Sequence, residues 1–220
     1  GEVFRATFNG TPVAVKKLHR NRLDAANLEA FKVECELQLS LRHPNLVQLM
    51  GGCWRDDHTD VNVCAVFELC EKGTLTGVLE KEPTRSTLSW AKHKLQMATG
   101  VARAMAHLHA QRPPIIHRDL KPDNVLLGAD LTPKVADMGT ALEMEEGAEE
   151  VVAGSGSPLF QAPEVLRHEA ADQLCDVWSY GCVLCCLWTR EKHAYHPTPA
   201  SDALELVGQL RLQPRVASSC

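Results

Sequence analysis

Residues 117–127 (HRDLKPDNVLL) gather three complementary side chains on one short stretch: a carboxylate at Asp119, an ammonium at Lys121 and a carboxamide at Asn124. A carboxylate in this setting can accept a hydroxyl proton. The lysine can neutralise phosphate charge, and the asparagine oxygen can ligate a hard cation. Thirteen residues after Asn124, a second carboxylate, Asp137, ends the strand-like run 133–136 and is followed by Met138 and Gly139. A carboxylate at a strand end is well placed to hold Mg²⁺ over a polyphosphate.

These residues need elements to bring them together, and the pattern of the chain changes near residue 70. Before it, short β-rich runs occur at 3–8, 12–17, 47–54 and 61–68, with Asn9-Gly10 as a hairpin turn between the first two. One helix interrupts them at 25–41, where Leu28, Phe31, Cys35 and Leu39 recur at three- and four-residue steps. His43-Pro44 stops it, because a residue before proline avoids the helical region. After residue 70 the chain becomes mostly helical. Ser89 is placed to cap a helix running to 111, with Ala98, Val101, Met105 and Leu108 on one face. Further helices are expected at 171–189 and 201–212, with a long irregular segment at 137–164. The expected architecture is α+β: a small β-rich lobe over 1–69 with one helix, a hinge at 68–73, and a larger helical lobe over 70–220.

HRDLKPDN resembles the catalytic loop of eukaryotic protein kinases, and Asp137-Met138-Gly139 resembles a variant of their DFG motif. Other family motifs follow in order. Val13-Ala14-Val15-Lys16 resembles the VAIK strand, and Glu34 falls where the family's helix glutamate pairs with that lysine. Gln161-Ala162-Pro163-Glu164 resembles APE, and residues 176–181 (DVWSYG) resemble the buried helix start that anchors the catalytic loop. Lys121, two residues past Asp119, resembles the serine/threonine pattern. The runs LRHPNLVQLMGGC and LSWAKHKLQMATGVARAMAHLH look most like the tyrosine-kinase-like group, which includes the Raf and mixed-lineage kinases.

The resemblance implies ATP and Mg²⁺ as cofactors and protein hydroxyls as acceptors. It assigns catalysis to Asp119, Lys121 and Asn124, and the metal to Asn124 and Asp137. It assigns nucleotide contacts to Val3, Ala14, Lys16, Glu34, Phe67, Glu68, Cys70, Leu126 and Asp137, with Leu69 in the hinge. Arg118 is expected to bind a phosphate on the activation segment, with Ser155 the better acceptor, Thr140 a weaker one, and Ser157 structural. Glu143, Glu145, Glu146, Glu149 and Glu150 read as a solvated charge run, or as a self-repelling stretch that such a phosphate orders.

The pattern also departs from the family. The glycine-rich loop survives only as Gly1-Glu2-Val3, and no region like the family's further helices, which carry the arginine that would pair with Glu164, follows residue 212. A domain truncated at both ends, with further domains in the full-length protein, is the expectation. Gln38 stands where the family places an apolar residue, and Met138 replaces phenylalanine. These features motivate an alternative, a pseudokinase that binds nucleotide or acts as a scaffold.

Composition narrows the remaining classes. Hydrophobic residues are 45% and charged residues 23% of 220, enough for a core and against wholesale disorder. A net charge of −5 without a basic stripe argues against nucleic acid as the main partner. The longest apolar run, 182–188, is far short of the ~20 residues of a membrane helix. Nine cysteines at irregular spacing, including Cys182 and Cys185 within an apolar run, read as buried reduced thiols in a cytoplasmic protein.

Overall fold

The computed structural model describes residues 2–18, 24–57, 60–81, 88–144, 150–151, 156–195 and 197–209. Strands β1 (Glu2–Phe8) and β2 (Thr11–Lys17) form an antiparallel hairpin in which Phe8 faces Thr11. Both turn residues have positive φ, 49° at Asn9 and 79° at Gly10, as a type I′ turn requires. Helix α1 (Ala25–Ser40) starts where the Asp24 carboxylate accepts the Asn27 N–H at 2.8 Å. Strands β3 (Leu49–Asp57) and β4 (Asp60–Glu68) complete a four-stranded sheet of order β1-β2-β4-β3. Phe31 and Cys35 of α1 pack on Leu49, Val63 and Ala65, all at most 4% exposed. This contact sets the height of α1 over the sheet.

The helical half begins with β5 (Gly73–Thr74) and α2 (Leu75–Lys81). Helix α3 (Leu95–His109) is entered through a wide π-type turn at Trp90–Lys94, capped by the Ser89 hydroxyl. Ala98, Val101, Met105 and Leu108 are all buried, as their spacing predicts. Strands β6 (Ile115–Ile116), β7 (Val125–Leu127), β8 (Pro133–Val135), β9 (Leu142–Glu143) and β10 (Glu150–Val151) follow. Then come α4 (Pro163–Leu166), β11 (Ala170–Ala171), α5 (Leu174–Thr189) and α6 (Ala200–Gly208). The largest core joins α3 to α5 through Val101, Leu108, Val183 and Leu187, each 0% exposed, and extends to Met138.

One hairpin positions the chemistry. Strands β7 and β8 pair antiparallel with Val125 opposite Val135. Asn124, just before β7, therefore lies beside Ala136, just after β8, and the Ala136 N–H donates to the Asn124 carbonyl at 2.9 Å. Residues twelve apart in sequence become neighbours.

Three expectations need correction. The last long helix begins at Leu174 rather than 171, because Ala170 and Ala171 pair with Val151 and Glu150 instead. The segment 137–164 is not wholly irregular: β9 pairs with β6, and β10 with β11. On α1, Leu39 is 46% exposed while Gln38 is 3% exposed, so the inner face runs Phe31, Cys35, Gln38. Helix α2 was not expected; its seven residues bury only Leu75 and Leu79, too few for a period to register. Residue 212, the expected end of the last helix, lies outside the described residues.

The packing of α3 on β8 depends on Gly100. A Cβ there would lie 2.3 Å from Pro133 Cγ and 2.8 Å from Asn45 Nδ2. Elsewhere in a helix Gly→Ala gains up to about 1 kcal/mol. At this site the overlap reverses the sign, and Gly100→Ala is expected to destabilise by about 1–3 kcal/mol in urea unfolding. A more stable variant would contradict this close approach.

Candidate active site

The loop between β6 and β7 is held from below by a buried carboxylate. Asp176, 1% exposed in the first turn of α5, accepts the His117 N–H at 2.8 Å and the Arg118 N–H at 3.0 Å. His109 Nε2 lies 2.9 Å from the same carboxylate. His117 is fully buried. Its Nε2 lies 3.0 Å from the Ala136 carbonyl, and its Nδ1 lies 3.3 Å from the Asp119 N–H. A carbonyl only accepts and an N–H only donates, so His117 sits as the neutral tautomer protonated on Nε2. It bridges the loop to the residue before Asp137 and has no free nitrogen for proton transfer.

Asp119 is the centre of the loop. Its Oδ2 accepts from Lys121 Nζ at 2.7 Å and from Asn124 Nδ2 at 2.9 Å. Its Oδ1 accepts the Ser157 N–H at 2.7 Å. Lys121 Nζ also donates to the Ser157 hydroxyl at 2.6 Å. Asn124 Nδ2 donates in addition to the Asp119 carbonyl at 2.8 Å, which leaves its oxygen as the atom for a cation. Ser157 reaches this cluster because Gly156 has φ 108°; a Cβ there would lie 2.5 Å from the Arg118 carbonyl. The structural reading of Ser157 is thus met by its contacts to Asp119 and Lys121.

Between the sheet and β7 lies a cavity of about 320 Å³, at the small end of ligand pockets. Val3, Ala14, Lys16, Glu34, Phe67, Glu68, Leu69, Cys70, Leu126 and Asp137 all line it. Gln38, Val47, Gly73 and Ala136 line it too and were not anticipated. Gly73 alone offered a signal, as a hinge glycine; its φ of 74° turns the chain beneath the cavity. Lys16 Nζ lies 2.6 Å from Glu34 and 3.4 Å from Asp137. Burial works against the ammonium, but the two carboxylates outweigh it and hold its pKa above the ordinary 10.5. Lys16 is charged throughout the neutral range.

The donors suit a hard cation. Asp137, at φ 66°, keeps a half-exposed carboxylate facing the cavity. Among the described residues no group of three or more His, Cys, Asp or Glu could hold a metal alone. A hard cation held by Asn124 and Asp137 would therefore take its remaining ligands from phosphate and water.

The departures from the family pattern have local explanations. Gln38 donates Nε2–H to the Val47 carbonyl at 3.0 Å, so the polar residue is satisfied where an apolar one was expected. Met138 is 3% exposed and part of the main core. Thr140 is a poorer acceptor site than expected, since its hydroxyl donates to the His117 carbonyl at 3.0 Å while its own carbonyl accepts from Arg118 Nε. Ser155, Glu145, Glu146 and Glu149 lie outside the described residues. Glu164 is half-buried and makes no ion pair among the described residues. Cys182 and Cys185 are buried, and burial pushes the Cys182 thiol up to about 12.

Comparison with known proteins identifies the family. The family model described as "Protein kinase domain" matches residues 1–216. The probable serine/threonine-protein kinase SIS8 of Arabidopsis thaliana is 35% identical over 215 residues, covering 98% of this chain and 20% of that protein. Serine/threonine-protein kinase CTR1 of the same organism is 36% identical over 184 residues, 84% of this chain and 22% of that protein. The probable serine/threonine-protein kinase drkB of Dictyostelium discoideum is 33% identical over 214 residues, 97% of this chain and 30% of that protein. The chain thus spans between a fifth and a third of the length of these relatives.

The Lys16 ion pairs carry a pH signature. A lysine pKa raised on folding contributes stability that is fully present below the unfolded value near 10.5 and is lost as pH rises through the folded value. Lys16→Met leaves two carboxylates without their donor, at a cost of about 1–3 kcal/mol. In denaturant unfolding, the gap between wild type and Lys16→Met is expected to be constant from pH 7 to 9 and to decline above about pH 10.5. A gap that widens with alkaline pH would contradict the assignment.

Proposed function

Because this chain belongs to the protein kinase domain family, we propose that it transfers the γ-phosphoryl group of ATP to serine and threonine hydroxyls of protein substrates. The observation that carries this reading is the single Asp119 carboxylate shared by Lys121, Asn124 and the Ser157 N–H, next to a cavity holding the Lys16–Glu34 pair. The named serine/threonine kinases among its relatives support the acceptor class. In this reading a small lobe (1–69) and a larger lobe (70–220) enclose the nucleotide.

Each residue then has a role. Val3 and Ala14 cover the adenine, Leu126 lies beneath it, and the backbone of Glu68, Leu69 and Cys70 meets its polar edge beside Phe67. Lys16, steadied by Glu34, grips the α and β phosphates. Asn124 and Asp137 hold Mg²⁺, which when bound supplies charge neutralisation to the phosphates. Asp119 orients the acceptor hydroxyl and takes its proton as that oxygen bonds to the γ-phosphorus, while the bond from the γ-phosphorus to the β–γ bridging oxygen breaks and ADP leaves. Lys121 offsets the charge that grows on the phosphoryl oxygens. Phosphoryl transfer asks mainly for positioning and charge stabilisation, and this set supplies both. The pseudokinase alternative finds little support, since Lys16, Glu34, Asp119, Asn124 and Asp137 are all present and Gln38 and Met138 are accommodated by packing and hydrogen bonding.

Two isosteric variants separate the roles in the full-length protein. Asp119→Asn is expected to bind Mg·ATP as wild type does but to lose about 10²–10⁴-fold in labelled-phosphate transfer to myelin basic protein. Asp137→Asn is expected to lose Mg²⁺-dependent nucleotide binding itself, seen by calorimetry. Equal nucleotide binding and undiminished transfer in both would overturn the assignment.

A further inference from the structure

Two cysteines outside the nucleotide cavity stand in a relation no other pair of described residues repeats. In the β3–β4 pairing Cys53 is directly opposite Cys64, and in the β2–β4 pairing Lys17 is directly opposite Cys64. Residues opposed in an antiparallel pair point to the same face, with Cα atoms about 4.5–5.5 Å apart. That spacing lies inside the roughly 4.4–6.8 Å window of disulfides.

The face matters as much as the spacing. Val63 and Ala65, the neighbours of Cys64, are 2% and 0% exposed against α1, so Cys64 points to the outer face of the sheet. Lys16, opposite Ala65, points to the inner face with the cavity. Cys53 is exposed and Cys64 is half-buried, whereas Cys35, Cys70, Cys175, Cys182, Cys185 and Cys186 are all buried. An oxidant in solvent therefore meets Cys53 first among the described cysteines.

We propose that Cys53 and Cys64 form a reversible disulfide on reaction with a hydroperoxide, a modification site on the outer face of the sheet. The exposed Cys53 sulfur attacks the peroxide, takes one oxygen as sulfenic acid and, with hydrogen peroxide, releases one water. The Cys64 thiolate then attacks the Cys53 sulfur. The S–S bond forms, the S–O bond breaks, and hydroxide leaves with the Cys64 proton as a second water. Two thiols lose two electrons and two protons in all, and the peroxide is reduced by the same amount. Burial pushes the Cys64 thiol up, and Lys17 opposite it offsets this only in part. Cys53 is accordingly the attacking residue and Cys64 the resolving one, and in a reducing compartment the bond is transient. The crosslink staples β3 to β4 without touching the cavity face.

Peptide mapping of the full-length protein tests this. The protein is treated with hydrogen peroxide, alkylated with iodoacetamide in denaturant and digested with trypsin without reduction. Cleavage after Arg55 separates 43–55 from 56–72, so a linked ion of the two requires a disulfide between the two peptides. The expected result is that ion, with Cys70 alkylated, lost on dithiothreitol treatment, absent in Cys64→Ser and retained in Cys70→Ser. Oxidation of Cys53 to sulfinic acid with Cys64 still alkylated, or a disulfide joining Cys53 of two copies, overturns the proposal. Persistence of the linked ion in Cys64→Ser overturns it equally.

Discussion

The Asp176 carboxylate is the constraint on which the rest of the site depends. A charge 1% exposed is costly unless hydrogen-bond donors offset its loss of water. Here two backbone N–H groups and the His109 ring supply them. The arrangement works in both directions. The donors make the buried charge tolerable, and the charge holds His117 and Arg118 in the conformation that aims Asp119. Helix α5 can carry this load because it is itself locked in place, with Cys182, Val183, Cys186 and Leu187 fully buried and the Tyr180 hydroxyl on the Ala98 carbonyl of α3.

From that base the geometry passes outward through short, well-defined links. His117 ties the loop to Ala136, and the β7–β8 hairpin sets Asn124 beside it. Asp137 follows at once and meets Lys16, which Glu34 holds from α1. The Val47 N–H donates to the Val135 carbonyl at 2.8 Å, and the Val47 carbonyl accepts from Gln38. Helix α1 is thereby tethered to the strand that precedes Asp137 by hydrogen bonds rather than by apolar stacking alone. A reaction that relies on preorganised charge needs such rigidity more than it needs additional reactive groups.

Much of this was legible in the residues. The spacing of Asp119, Lys121, Asn124 and Asp137 carried its chemistry openly, and the helical period found the buried face of α3. Other features were hidden for physical reasons. The burial of Gln38 in place of Leu39 depended on the Val47 carbonyl in the segment between α1 and β3. The pairing of Ala170 with Val151 is non-local, and two-residue strands have no period to read. The dual engagement of Ser157 required the positive φ of Gly156 and a gap beneath it that only the folded loop reveals. The Cys53–Cys64 juxtaposition likewise arises from strand register, which two cysteines eleven residues apart do not announce.

The dependence of the loop on Asp176 can be measured directly by amide hydrogen exchange. Asp176→Asn keeps the shape but turns an amino group towards backbone donors, so the His117 and Arg118 N–H groups lose a charged acceptor. Exchange at these two amides is expected to accelerate by at least tenfold, while the α3 core amides stay protected and phosphoryl transfer falls in parallel. Unchanged protection at His117 and Arg118, with transfer intact, would contradict the view that this buried carboxylate holds the catalytic loop in place.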